Sequence, residues 1–103
     1  SKGETKKAAE MREGALKIAT NAERNAYGYT LLQQGKISDA VPVFKMNAEL
    51  NPTDPNVWDS LGEAYAMNDQ KTEAIKAFKK SLSMKPPDMV RENSEKWLKK
   101  LQK

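Results

Sequence analysis

The chain has no cysteine and no histidine among its 103 residues. Lacking cysteine, it can form neither a disulfide nor a thiol nucleophile. Lacking histidine, it is without the commonest general base and the commonest metal ligand. Aromatic residues are scarce, at 7%, and hydrophobic residues reach only 38%. No apolar run approaches the roughly 20 residues that a membrane-spanning helix needs. No secretory signal opens the sequence, and Ser1-Lys2-Gly3 reads as the edge of a longer chain, which leaves cytoplasm and periplasm both open. A glycine-rich phosphate loop is missing as well.

Charged residues are plentiful by contrast, at 31%, with a net charge of +4. The carboxylates sit within helical reach of lysines, as in Glu73–Lys76 and Glu95–Lys99. That spacing describes solvated helix faces, not catalytic dyads. Asn51, Asp54 and Asn56 suit turns and caps better than a cation. The five methionines are scattered as core fillers. The reading is therefore not an enzyme, with no cofactor and no metal. The basic excess lies at the ends: residues 1–20 carry +2 and residues 89–103 carry +3, while 21–54 carry −1 and 55–88 are neutral. A nucleic-acid partner would need a basic stripe interleaved with aromatics on one face. Terminal charge of this kind serves solubility instead, so no nucleic acid is expected.

What the sequence does hold is a period. At an offset of 34 residues Gly28 falls on Gly62, Ala40 on Ala74, Phe44 on Phe78, Pro52 on Pro86 and Asp54 on Asp88. Conservative pairs fill in between them, such as Ser38/Thr72, Val41/Ile75 and Leu50/Met84. A fixed period of this size marks stacked units, none of which can bury its apolar face alone. The second copy, 55–88, carries Trp58, Leu61, Gly62, Tyr65, Ala74, Phe78 and Pro86 in order. In the first copy, 21–54, Arg24 stands where Trp58 does, Tyr27 where Leu61 does and Leu31 where Tyr65 does.

This pattern closely resembles the tetratricopeptide repeat, a helix–turn–helix unit of about 34 residues. The resemblance implies an all-α helical repeat, or α-solenoid, of two hairpins with a capping helix at each end. Residues 1–20 would hold the N-terminal cap, 21–54 and 55–88 the two repeats, and 89–103 the C-terminal cap, six helices in all. The glycines let the paired helices approach closely, since a Cβ there would clash. Ala40 and Ala74 do the same from the facing helix, and Phe44 and Phe78 wedge into the packing.

Local signals set the boundaries. Ala8, Met11, Ala15, Leu16 and Ile18 recur at helical spacing, so residues 5–19 read as the first helix. Thr20 with Glu23 has capping-box form and argues for a fresh start there. The alternative is one unbroken helix from Thr5 to Gln34, which would open a route to domain swapping. Gly35 ends the helix 21–33, the next runs from about Ser38 to Asn51, and Pro52 stops it. Pro42 falls near the end of that helix's first turn. Asp54 then Pro55 open a helix to about Asn68. Thr72 caps its partner, which ends near Met84 before Pro86-Pro87. Asp88 opens the last helix, where Val90, Ser94, Trp97 and Leu101 share a stripe.

In proteins of the family, the first helix of each unit lines the concave side. The resemblance thus implies a peptide-binding face of Asn25, Tyr29 and Leu32 from copy one, and Asn56, Asp59, Glu63 and Met67 from copy two. Trp97, with Asn93 and Lys100, would extend it from the last helix. Asparagine can grip a peptide backbone with donor and acceptor together, and tyrosine is an interface anchor. A subset of the family holds the acidic tails of heat-shock chaperones with a ring of Lys, Arg and Asn. The matching positions, Asn25, Tyr29, Ser60, Val90 and Ser94, contain no cation, and Asp59 and Glu63 would repel a carboxylate. The runs Gly28–Lys36 and Asn56–Tyr65 resemble short modules at the C-terminal end of larger bacterial proteins. The expected role is non-catalytic protein–protein interaction or scaffolding, with a protein or peptide as partner. The competing class is self-association, with this chain a dimerisation element giving a homodimer.

Overall fold

The computed structural model describes residues 19–103. These form five α-helices and no strand: α1 (Asn21–Gln33), α2 (Ile37–Leu50), α3 (Pro55–Met67), α4 (Lys71–Ser83) and α5 (Asp88–Leu101). The helix expected over 5–19 lies, but for Ala19, outside the described residues.

Thr20 is extended (φ −75°, ψ 164°) and caps α1. Its hydroxyl accepts the Glu23 backbone N–H at 3.1 Å, and the Glu23 carboxylate accepts the Thr20 N–H at 2.9 Å. The capping box is therefore formed, and a single helix running through Thr20 is ruled out. The same bonds, that from the Thr20 backbone above all, hold the Glu23 carboxyl below its ordinary value. Asp54 caps α3 as expected, accepting the Asn56 N–H at 2.9 Å, with Pro55 in the first helical position.

Two helix starts fall one or two residues before the expected position. Helix α2 starts at Ile37 rather than Ser38, which sets Pro42 a residue deeper in an uninterrupted helix. Thr72 caps nothing, because α4 begins at Lys71 behind Gln70, with no side-chain cap. In both cases the turn itself fixes the start. Lys36 N–H reaches back to the Leu31 carbonyl at 2.9 Å, and Gln70 N–H to the Tyr65 carbonyl at 2.8 Å. This is the six-to-one bond of a Schellman ending, repeated 34 residues on. The left-handed residue that it requires is Gly35 (φ 78°) in one turn and Asp69 (φ 59°) in the other.

Within each hairpin the helices meet at a glycine. A Cβ on Gly28 would lie 2.6 Å from Phe44 Cζ, and one on Gly62 would lie 2.8 Å from the Phe78 ring. Both rings are buried, with Ala40 and Ala74 enclosed beside them. Trp58 is half-buried, and its indole N–H donates to the Pro52 carbonyl at 2.9 Å. Helix α5 closes the far flank: Trp97 stacks on Phe78 with centroids 6.0 Å apart, and Ser94 and Leu98 are buried.

The helices alternate between two layers. In the first layer α3 touches both α1 and α5, whereas α2 and α4 of the second layer hardly meet. Close approach in one layer and divergence in the other curves the stack. The α1–α3–α5 layer is its inner, concave side.

Candidate functional site

The inner face is built by one position of each helix meeting its counterpart 34 residues later. Tyr29 on α1 donates its hydroxyl proton towards Glu63 Oε2 at 2.7 Å and lies 3.1 Å from Ser60 Oγ on α3. Asn93 on α5 donates through Nδ2 to Asp59 Oδ2 at 2.8 Å and to Glu63 Oε1 at 2.7 Å. Ser94 Oγ donates to Asp59 Oδ1 at 2.6 Å. One polar chain thus ties all three helices of the layer together. Buried hydroxyls and carboxylates survive only when bonded in this way.

Its electrostatics follow from the enclosure. Asp59 is only 5% exposed. Burial pushes its carboxyl up from the ordinary value, against the hydrogen bonds from Ser94 and Asn93, and the neighbouring Glu63 charge pushes the same way. The Tyr29 phenol is also driven up, by burial first and by the two carboxylates beside it. It stays protonated and remains a donor at any physiological pH.

The residues expected on this face are divided by the structure into groups. Tyr29, Asp59 and Glu63 come together, but their polar atoms are engaged with one another and with α5. Leu32 is buried in the core. Met67 is 42% exposed at the end of α3, and Trp97 lies over Phe78 with Lys100 Nζ 5.3 Å from its ring centre. Asn25 and Asn56 form a second group. With Asn21, Ala22 and Ala26 they line an open cleft of about 420 Å³ near the N-terminal ends of α1 and α3. Asn25 Oδ1 is enclosed there and accepts no hydrogen bond from a described residue.

Ser60 and Ser94 are the bonding residues that the projection onto the concave side left out. A signal for them exists in the sequence: they are the same position one period apart, next to Asp59 and Asn93. No group of three or more carboxylates able to hold a metal ion occurs among the described residues, and no described helix is long and apolar enough to cross a membrane.

Comparison with known proteins agrees with this architecture. Residues 55–88 match the tetratricopeptide repeat family, the same 34 residues marked by the sequence period. The chain is 31% identical over 68 residues to superkiller protein 3 of Schizosaccharomyces pombe, a match covering 66% of this chain and 5% of that protein. It is 37% identical over 59 residues to superkiller complex protein 3 of Homo sapiens, covering 57% and 4% respectively. To the peroxisomal targeting signal receptor of Pichia angusta it is 30% identical over 71 residues, covering 68% and 12%. The chain thus spans only a small part of the length of the curated relatives it matches. Residues 55–88 are a tetratricopeptide repeat, and repeats of this family mediate protein–protein interaction.

Proposed function

We infer that this tetratricopeptide-repeat chain is a non-catalytic interaction module that takes a partner's peptide segment on its inner face, at the Asn25–Asn56 cleft. The orphaned Asn25 Oδ1 carries the reading. An unmet buried acceptor costs about 1–3 kcal/mol. Turning the Asn25 amide into the cleft to meet a backbone N–H recovers that cost on binding. Asn56, exposed on the opposite wall, offers a second amide. Ala22 and Ala26 are small enough to let a main chain come close. The Tyr29–Glu63–Asn93–Asp59 chain lies on the same α1–α3–α5 layer, and its two carboxylates disfavour acidic ligands there. Relatives named as a targeting-signal receptor and as a member of a complex fit the same role.

The test is selection of peptides from a random display library on the full chain, followed by titration of the selected peptides against Asn25→Ala and Asn56→Ala. Each variant is expected to lose roughly tenfold in affinity, the worth of one hydrogen bond in a desolvated setting. Unchanged affinity in both overturns the cleft as the site.

A second reading, self-association, is supported by Met89 and Leu50, which are 85% and 51% exposed. Both lie beside the loops that connect one hairpin to the next element. Sedimentation over a range of concentrations decides it, because a monomer at every concentration removes the dimer.

A further inference from the structure

The divergence of α2 from α4 leaves a groove on the outer side of the stack, away from the inner face. Its floor is an aromatic and aliphatic strip of α3, formed by Trp58, Leu61 and Tyr65, with Ala48 of α2 and Ala77 of α4 at the sides. Its volume is about 340 Å³, within the range of ligand-binding clefts. The small residues on both walls keep it open, since larger side chains at positions 48 and 77 would fill it.

Charge on the rim is not random. Lys45 of α2 lines one wall, and Lys76 and Lys80, one turn apart on α4, line the other. Three lysines therefore face the middle of the groove from both walls, and Glu49 and Glu73 stand at its two ends. None of the three lysines forms an ion pair with a described residue. Lys80 Nζ instead hangs 5.9 Å from the centre of the Trp58 ring. An apolar floor under three central lysines that outnumber the two carboxylates of the rim calls for an apolar group carrying a carboxylate.

We propose that this outer groove docks an acidic amphipathic segment of a partner protein, with bulky apolar side chains on the Trp58–Leu61–Tyr65 floor and a carboxylate among Lys45, Lys76 and Lys80. Charge selects this occupant. The chain's own residues 1–20 carry a net positive charge, as does the whole molecule, so neither the N-terminal segment nor a second copy complements the rim. The site is separate from the Asn25–Asn56 cleft, and the two prefer ligands of opposite character.

The experiment titrates the full chain, labelled for amide chemical-shift mapping, with a synthetic amphipathic helical peptide of leucine and glutamate. Counterparts of leucine with lysine and leucine with glutamine serve as controls. The Leu/Glu peptide is expected to saturate, to shift amides near Ala48, Leu61 and Ala77, and to bind about tenfold tighter than the Leu/Lys peptide at low salt, a gap that closes as salt screens the rim. A chain carrying Lys45→Glu, Lys76→Glu and Lys80→Glu is expected to reverse that order. All three positions are exposed, and the peptide charge series on the unaltered chain gives the answer even if the triple variant folds poorly. Equal binding of the acidic and basic peptides, shifts centred on Asn25 and Asn56, or no saturable shift would each overturn the proposal. Shifts at Asn25 and Asn56 would leave the inner-face reading standing.

Discussion

The two hairpins follow one template but are joined by different chemistry. In the first, buried Arg24 donates through Nε to Asn47 Oδ1 at 2.8 Å. Asn47 Nδ2 in turn donates to Asn21 Oδ1 at 2.7 Å, and Asn51 Nδ2 to Asn47 Oδ1 at 3.1 Å. One period later the same positions are Trp58, Ser81 and Pro55, where Ser81 Oγ donates to the Pro55 carbonyl at 2.8 Å and the Trp58 indole N–H to the Pro52 carbonyl at 2.9 Å. The backbones still match. Helix pairing is therefore set by the Gly–Phe contact and the Schellman turn, which the two units share. The joint at Arg24 or Trp58 can be polar or aromatic, provided every enclosed polar group finds a partner. The aromatic version exposes an indole beside α4 and so makes the floor of the outer groove. The polar version binds Arg24 into the body of the hairpin.

That equivalence can be broken most severely at the phenylalanines. Phe44→Ala and Phe78→Ala are each expected to cost about 3–5 kcal/mol in denaturant unfolding, because each ring fills the space above its own glycine. A cost below about 1 kcal/mol for either would mean that its hairpin is held by something else.

Next comes the joint. Asn47→Ser installs in the first hairpin the residue that serves the second. It removes the acceptor used by Arg24 Nε, and about 1.5–3 kcal/mol should be lost, the usual worth of a bond to a charged group. A silent substitution would show that the two joints are interchangeable.

Acid response sharpens the contrast further. At the Asp59 position the first hairpin has neutral Asn25, so only the second carries a buried carboxyl of this kind. Its folded pKa is raised, so the folded chain holds the proton more tightly than the unfolded one. The resulting stability is present below about pH 4, the unfolded value, and is lost as pH climbs through the raised folded value. Relative to Asp59→Asn, the natural chain's Tm should thus fall as pH rises from about 4 through the raised folded value. Parallel Tm curves for the two would refute this. Tyr29 stays protonated throughout.

The smallest effect concerns the turns. Asp69→Gly relieves a left-handed aspartate and should add up to about 1 kcal/mol, while Gly35→Asp at the matching turn should subtract a similar amount. Thermal unfolding of the pair reads both signs, and a loss in Asp69→Gly would show that the aspartate side chain stabilises its turn.

Much of this was legible in the residues. The period located both hairpins, Gly28 and Gly62 announced the close contacts, and Thr20, Glu23, Asp54 and Pro55 placed two helix starts, because capping is local chemistry. Thr72 misled for the opposite reason: it has a capping side chain, but the turn bond from Gln70 to Tyr65 had already fixed the cap two residues earlier. Tyr29, Asp59 and Glu63 were recognised as members of one face, though nothing in their spacing revealed that they bond across helices. The outer groove was hidden because Trp58, Leu61 and Tyr65 look like core on a helical projection.

Periodicity and capping are written along the chain, and so the sequence alone determined which segments coil, where each pair turns and which residues touch within a hairpin. The tertiary structure alone decided which polar atoms are used up and which surface stays open. Those outcomes depend on angles and distances between helices, where a shift of about an ångström separates a satisfied carboxylate from an exposed one, and no residue pattern records that spacing.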